Sequence, residues 1–311
     1  MASLGYIQVT RECNQNCMIC SNPPTGYYLP LDQAKKEADW LVEKRCAGVI
    51  LSGGEPTLYP QLPELIRYCK ARGLFPRIIT NGQKTCDEQY LRLLKESGLQ
   101  HLHLSIYSCR PAVQAKLTGN AQAFANIEKS LMNIVRLGGM TVDVNIVINK
   151  YNAGHLLETV SWMIEHYGFV QHCVFNNLDP CMNRVAEHPD VVPRLNDFEL
   201  ELHRALQFLA AHGKTFRVER VPLCYLTDFE HISTETRKIV LNEQRAIYFL
   251  DDRGEVEQED WYYKKGAACR PCRLNKICAG LYALGKGYDE GELYPVFIDP
   301  AGIIEKIKGI P

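Results

Sequence analysis

Seven cysteines stand in two spaced sets. Near the N-terminus Cys13, Cys17 and Cys20 form a C-x3-C-x2-C run. Toward the other end Cys269, Cys272 and Cys278 form C-x2-C-x5-C, with Cys224 upstream in Val221-Pro222-Leu223-Cys224. Thiolates are soft ligands suited to zinc, copper(I) and iron–sulfur clusters. Three of them on one short loop can converge on a metal cluster and leave a fourth position without a protein ligand. The second set has four thiolates and can close a complete site, and a structural zinc would satisfy the same spacing. The other six cysteines, Cys46, Cys69, Cys86, Cys109, Cys173 and Cys181, are scattered singly and read as small buried apolar residues. Thirteen cysteines in 311 residues is an odd count in a chain far larger than disulfide-stapled scaffolds. It points to a reducing, cytoplasmic setting and to metal or redox chemistry.

Composition narrows the classes further. With 35 basic and 36 acidic side chains the formal charge is −1, without the basic excess that nucleic-acid or anionic-membrane binding requires. Apolar runs such as Met140–Ile148 stop well short of the ~20 residues that cross a bilayer, and the N-terminus has no signal-peptide pattern.

The cysteine sets must be positioned by the chain between them, which alternates two periods. Tyr6–Thr10, Gly48–Ser52, Pro76–Thr80, His101–Ile106, Met140–Ile148 and Phe169–Phe175 read as strands. Between them Leu31–Lys44, Leu62–Arg72, Asp87–Ser97, Phe124–Leu137 and Ala153–Tyr167 have helical periodicity. Gly48, Gly73, Gly98, Gly138 and Gly168 each follow a helical segment, where a left-handed cap is wanted. Six strands in alternation with helices predict an α/β fold with a parallel sheet, either a partial (β/α)6 TIM-like barrel or a doubly wound open sheet. In both, the ligand site lies at the C-terminal ends of the strands, where the first cysteine loop falls. A Pro- and Asn-rich stretch over 179–196 reads as a linker between a core at 1–178 and a cysteine-rich C-terminal region at 197–311. Within that region a helix is expected over Asp197–Ala211, a strand near Thr215–Val218, and a hairpin at Ala246–Leu250 and Glu255–Glu257 turning through Asp251–Gly254.

Cys13, Cys17 and Cys20 after a first strand, followed by Gly53-Gly54-Glu55-Pro56 after the second, resemble the signature of the radical S-adenosylmethionine (radical SAM) superfamily. The resemblance runs from about Tyr6 to Asn177 and favours the partial barrel. Cys224, Cys269, Cys272 and Cys278 are similar to the auxiliary-cluster region of its twitch and SPASM subgroup, although a full SPASM region has more cysteines. The resemblance implies two 4Fe-4S clusters, one binding S-adenosylmethionine and one auxiliary, and a flavodoxin- or ferredoxin-type electron donor. It gives Gly53, Gly54, Glu55 and Pro56 to the methionyl ammonium, Ser105 to the ribose, and Asn81 of a Thr-Asn-Gly turn to the cofactor edge. Ile19 takes the position where the family has a bulky residue against the adenine. Asn145 is preferred to Asn149 as a further cofactor contact.

The implied reaction is reductive cleavage of S-adenosylmethionine to a 5′-deoxyadenosyl radical that abstracts hydrogen from a substrate carbon. Oxidation, cross-linking and epimerisation are the candidate outcomes, and Cys109, Cys173 and Cys181 are the candidate hydrogen donors for the last. A peptide substrate is favoured over a small-molecule precursor. Against a self-sufficient peptide maturase stands a start almost at the first strand, without room for a separate leader-recognition domain. The rival from another class is a non-enzymatic iron–sulfur or zinc scaffold.

Overall fold

The computed structural model describes residues 4–22, 24–243, 245–258 and 263–309. Its first half is a chain of strand–helix units. They run β1 (Leu4–Thr10), α1 (Leu31–Glu43), β2 (Gly48–Gly53), α2 (Leu62–Ala71), β3 (Phe75–Thr80), α3 (Glu88–Ser97) and β4 (His101–Ser105). Then come α4 (Pro111–Thr118), α5 (Ala123–Leu137), β5 (Thr141–Ile148), α6 (Leu156–His166) and β6 (His172–Asn177). The second half contains α7 (Asn183–Glu187), α8 (Leu195–Ala211), β7 (Thr215–Glu219), α9 (Thr234–Leu241), the hairpin β8 (Arg245–Tyr248) and β9 (Glu255–Gln258), the pair β10 (Tyr263–Lys264) and β11 (Leu281–Tyr282), and α10 (Ala301–Gly309).

Local chemistry explains the boundaries. In α1 the positions Ala34, Ala38 and Leu41 form one buried stripe, the i, i+4, i+7 pattern of an amphipathic helix. The Asp87 carboxylate caps α3 by accepting from the N–H groups of Gln89 and Tyr90, and Gly98 ends it at φ +114°. In β4 and β5 the apolar residues Leu102, Leu104, Val142 and Val144 are fully buried in the main core with Ile127 and Leu131 of α5. The alternate positions, His101, His103, Ser105, Asp143 and Asn145, occupy the opposite face.

The main sheet has the order β7-β6-β5-β4-β3-β2-β1-β8-β9. From β1 to β7 every neighbouring pair is parallel and sequential. Right-handed crossovers in an unreversed order put all the helices on one face, which is the winding of a barrel. A doubly wound sheet would need a switch point, and the order from β1 to β7 has none, so the partial-barrel alternative describes the chain. The count differs from six: β7, beyond the expected linker, pairs with β6, and β8 pairs parallel with β1. The sheet therefore runs past the boundary expected at residue 178. The linker segment itself folds into α7 and a short 3-10 turn at Pro189–Val191.

Candidate active site

The first cysteine loop leaves β1 at its C-terminal end and is fixed from three sides. Asn16 N–H and Met18 N–H donate to the carbonyls of Thr118 and Leu117 at 3.0 and 2.9 Å, using acceptors that the last turn of α4 leaves free. Ile19 is buried with Leu117, Leu178, Val185 and Val191 in a small apolar cluster that also packs against Cys17 and Tyr107. The returning limb is tied back to β1, with Leu29 N–H donating to the Val9 carbonyl and Arg11 N–H to that of Tyr27.

The Gly-Gly-Glu-Pro turn at the end of β2 is joined directly to this loop. Gly54 N–H donates to the Thr10 carbonyl and Glu55 N–H to that of Glu12, both at 2.7 Å. Only glycine permits so close an approach: a Cβ on Gly53 would lie 2.1 Å from the Thr10 oxygen, and one on Gly54 2.1 Å from the Glu12 oxygen. Pro56 starts a buried 3-10 turn with Glu55 as its cap. The Glu55 side chain is buried and saturated. Its Oε1 accepts from Thr57 N–H, Thr57 hydroxyl and Thr80 hydroxyl, and its Oε2 accepts from Asn81 N–H at 2.7 Å. Burial pushes its carboxyl upward, against the hydrogen bonds that favour the anion. Glu55 thus locks the end of β2 to the Thr80-Asn81-Gly82 turn at the end of β3. Asn81 completes the connection, with Nδ2 2.7 Å from Asn14 Oδ1 and 3.8 Å from Cys13 Sγ.

The thiols of the loop are close enough for the charge of Cys20 to act on Cys13 and those of Cys13 and Cys20 on Cys17. Burial is the main reason they hold their protons, Cys13 being pushed up to about 11 and Cys17 and Cys20 also upward. A metal cluster would supply the positive charge that makes thiolates favourable there. The donor set fits a 4Fe-4S cluster with one iron left free for a small ligand. Ser105 and Asn145 face each other across β4 and β5 on the same side of the sheet, both half-buried. Asn149 is instead wholly buried in the turn after β5, its amide donating to the Val147 carbonyl and its Oδ1 accepting from Tyr151 N–H.

The second cysteine set gathers from distant parts of the chain. Cys224, Cys269, Cys272 and Cys278 line a single cavity together with Lys265 and Asn275. Val296 N–H points at Cys272 Sγ and Gly280 N–H at Cys278 Sγ, each at 3.4 Å. Such donors favour the thiolate, and four soft ligands around one cavity fit an iron–sulfur cluster as well as zinc. Burial raises the Cys224 thiol to about 12.

The proposed hydrogen donors are not brought together. Cys173 is fully buried on the apolar face of β6, within the core beneath the helices. Cys109 lies against Glu158 and Thr159 of α6. Cys181 is exposed in the loop after β6, its N–H donating to Asp179.

Sequence reading missed Tyr107, which is hydrogen-bonded to Ser105 and feels the charges of all three loop cysteines. It also missed Arg11, 2.6 Å from Asn22 and 3.1 Å from Asp251 of the β8–β9 hairpin. A third omission is His101, His103 and Asp143. Polar residues at alternate positions of the strand His101-Leu102-His103-Leu104-Ser105 were the available signal.

A parallel partial barrel with a three-cysteine loop after its first strand and a glycine turn after its second defines an S-adenosylmethionine-dependent radical fold. Residues 7–163 match the family model of the Radical SAM superfamily, and the chain belongs to that superfamily. The "PqqA peptide cyclase" of Xanthomonas axonopodis pv. citri (strain 306) is 30% identical over 172 residues, 51% of this chain and 44% of that protein. That of Methylocella silvestris is 33% identical over 155 residues, 47% of this chain and 40% of its own length. The aligned region is thus less than half of these curated relatives. Among solved structures, Streptococcus suis SuiB bound to S-adenosylmethionine superposes with a TM-score of 0.65 at 15% identity, covering 95% of this chain and 76% of SuiB. Native anSMEcpe with bound AdoMet gives 0.64 at 14%, covering 98% of this chain and 95% of that one. Among the described residues no helix is long and apolar enough to cross a membrane.

Proposed function

We propose that the chain is a radical SAM enzyme acting on a peptide, with Cys13, Cys17 and Cys20 holding the cluster that binds S-adenosylmethionine. When bound, that cluster delivers one electron to the cofactor, whose carbon–sulfur cleavage yields the 5′-deoxyadenosyl radical. The chain's own contribution is placement. The observation that carries the reading is the hydrogen-bonded unit formed by the cysteine loop, the Gly53–Pro56 turn and the Thr80–Gly82 turn. The two glycines would offer backbone carbonyls to the methionyl ammonium, Glu55 holds the turns at fixed spacing, and Ser105, Asn145 and Asn81 would offer polar atoms to the rest of the cofactor. Ile19 and Tyr107 supply its apolar wall.

Cys224, Cys269, Cys272 and Cys278 hold an auxiliary 4Fe-4S cluster whose irons are all ligated, which suits an electron relay rather than a grip on substrate. The peptide class is supported by the two named peptide cyclases and by the structure of SuiB bound to the precursor peptide SuiA. Thirteen free cysteines suit a reducing cytoplasm and a flavodoxin- or ferredoxin-type electron donor.

The test is anaerobic reconstitution followed by reduction with S-adenosylmethionine present. About eight irons per chain and release of 5′-deoxyadenosine are expected, and no 5′-deoxyadenosine would overturn the reading. Replacing Cys13, Cys17 and Cys20 together by Ala should halve the iron and abolish cleavage; loss of all iron from a folded variant would defeat the two-cluster assignment. Co-expression with short reading frames encoded nearby should give a mass change in one peptide. Turnover stimulated by a small molecule and by no such peptide would overturn the substrate class.

A further inference from the structure

At the end of the sheet opposite the cysteine loop, His101, His103 and Asp143 bring three metal-ligating atoms within 4.8 Å of one another, all three residues buried. His101 opens β4, and His103 and Asp143 face each other two residues further along their strands. His172, the first residue of β6, is opposite Asp143 on its other side. We propose that His101, His103 and Asp143 form a structural site for a divalent first-row cation of borderline softness, with zinc as its natural occupant, that ties β4 and β5 together.

The distances suit such an ion. Asp143 Oδ2 is 2.9 Å from His101 Nε2 and 3.5 Å from His103 Nδ1. Tetrahedral zinc with bonds of about 2.0–2.1 Å puts neighbouring donors about 3.3–3.4 Å apart, between those two values. The remote ring nitrogen of His101 is held as that of a metal-bound histidine usually is: Nδ1 is 2.7 Å from Thr141 Oγ1. His172 borders this three-residue group without belonging to it.

An independent observation comes from His103. Its Nε2 is buried without a hydrogen-bond partner, and its Nδ1 is too far from Asp143 for a good hydrogen bond. With the proton on Nε2, the Nδ1 lone pair faces the Asp143 carboxylate with no donor between them, and a cation bound to both satisfies Nδ1 while Nε2–H stays as it is. Arg77 opposes a cation here, and its guanidinium lies over the Phe75 ring, 5.3 Å from the centroid. The ligands are oxygen and nitrogen, so the site is chemically separate from both thiolate sets.

The reconstituted protein, with its iron–sulfur sites filled, is dialysed anaerobically against zinc buffered near 1 μM free and assayed for zinc and iron. One zinc per chain beside the full iron content is expected, and in His103→Ala and Asp143→Asn zinc should fall at least tenfold with iron unchanged. Cobalt(II) substituted for zinc should give visible d–d bands without thiolate charge transfer. The proposal is overturned if the unmodified protein retains less than a tenth of an equivalent of zinc, if zinc persists in folded variants, or if cobalt shows thiolate bands. The first and third measurements need only the unmodified chain, so a variant that fails to fold does not shelter the idea.

Discussion

The Glu55 carboxylate is occupied by donors from two turns, and its chemistry predicts how it should fail. Glu55→Gln keeps the shape but turns one oxygen into an N–H2 group, which must face an existing donor, either Asn81 N–H or the Thr57 and Thr80 hydroxyls. The exchange of an acceptor for a donor should cost about 2 kcal/mol, read as a lowered denaturation midpoint. Gly54→Ala tests the same junction by volume, since its Cβ would meet the Glu12 carbonyl. The loop must then separate from the turn, and iron at the first site should fall by about half or more while the helical circular dichroism persists. The second cysteine set should be untouched, so the loss should not exceed the iron of one site. At this scale the sequence was informative where spacing is local. The loop cysteines and the glycine turn could be read directly, whereas Tyr107 and Arg11 depend on which strand ends meet.

Elements are stabilised by their ends as well as by their faces. Asp87 caps α3 through two backbone N–H groups, so Asp87→Ala should lower stability by about 1 kcal/mol in a urea titration and leave the iron content unchanged. Strands and helices of the first half were legible because two periods alternate cleanly and Gly73, Gly98 and Gly138 mark helix ends with a positive φ, whereas Gly48 opens β2 and Gly168 has no left-handed backbone. Even there α4 was overlooked: only eight residues long, it lacks a clear apolar stripe, although its last carbonyls hold the cysteine loop. The hairpin β8–β9 was legible from its Asp-Asp-Arg-Gly turn, but its pairing with β1 was not. Strand neighbours so far apart in sequence are chosen by tertiary packing, which a local pattern does not encode.

At the scale of the whole molecule the C-terminal part is continuous with the core. Ile303 and Ile307 of α10 are buried in the same apolar cluster as the strands, and Leu274, Ile277 and Leu281 join them. Ile307→Ala should therefore cost about 2–4 kcal/mol. Near- and far-ultraviolet circular dichroism should be lost in one transition, since a detached lobe would give two. The division expected at residue 178 followed the end of the strand–helix rhythm, but burial ignores that rhythm. The closure of β8 on β1 has a further consequence in time. Arg11 and Asp251 are separated by 240 residues, and translation at ~5–20 residues per second needs roughly 10–50 s to cover that interval. Throughout it the growing chain exposes an unpaired edge at β1, the strand from which the cysteine loop departs. Protection of the nascent chain, or delivery of iron and sulfide only after release from the ribosome, thus becomes a condition for assembling the first cluster without aggregation.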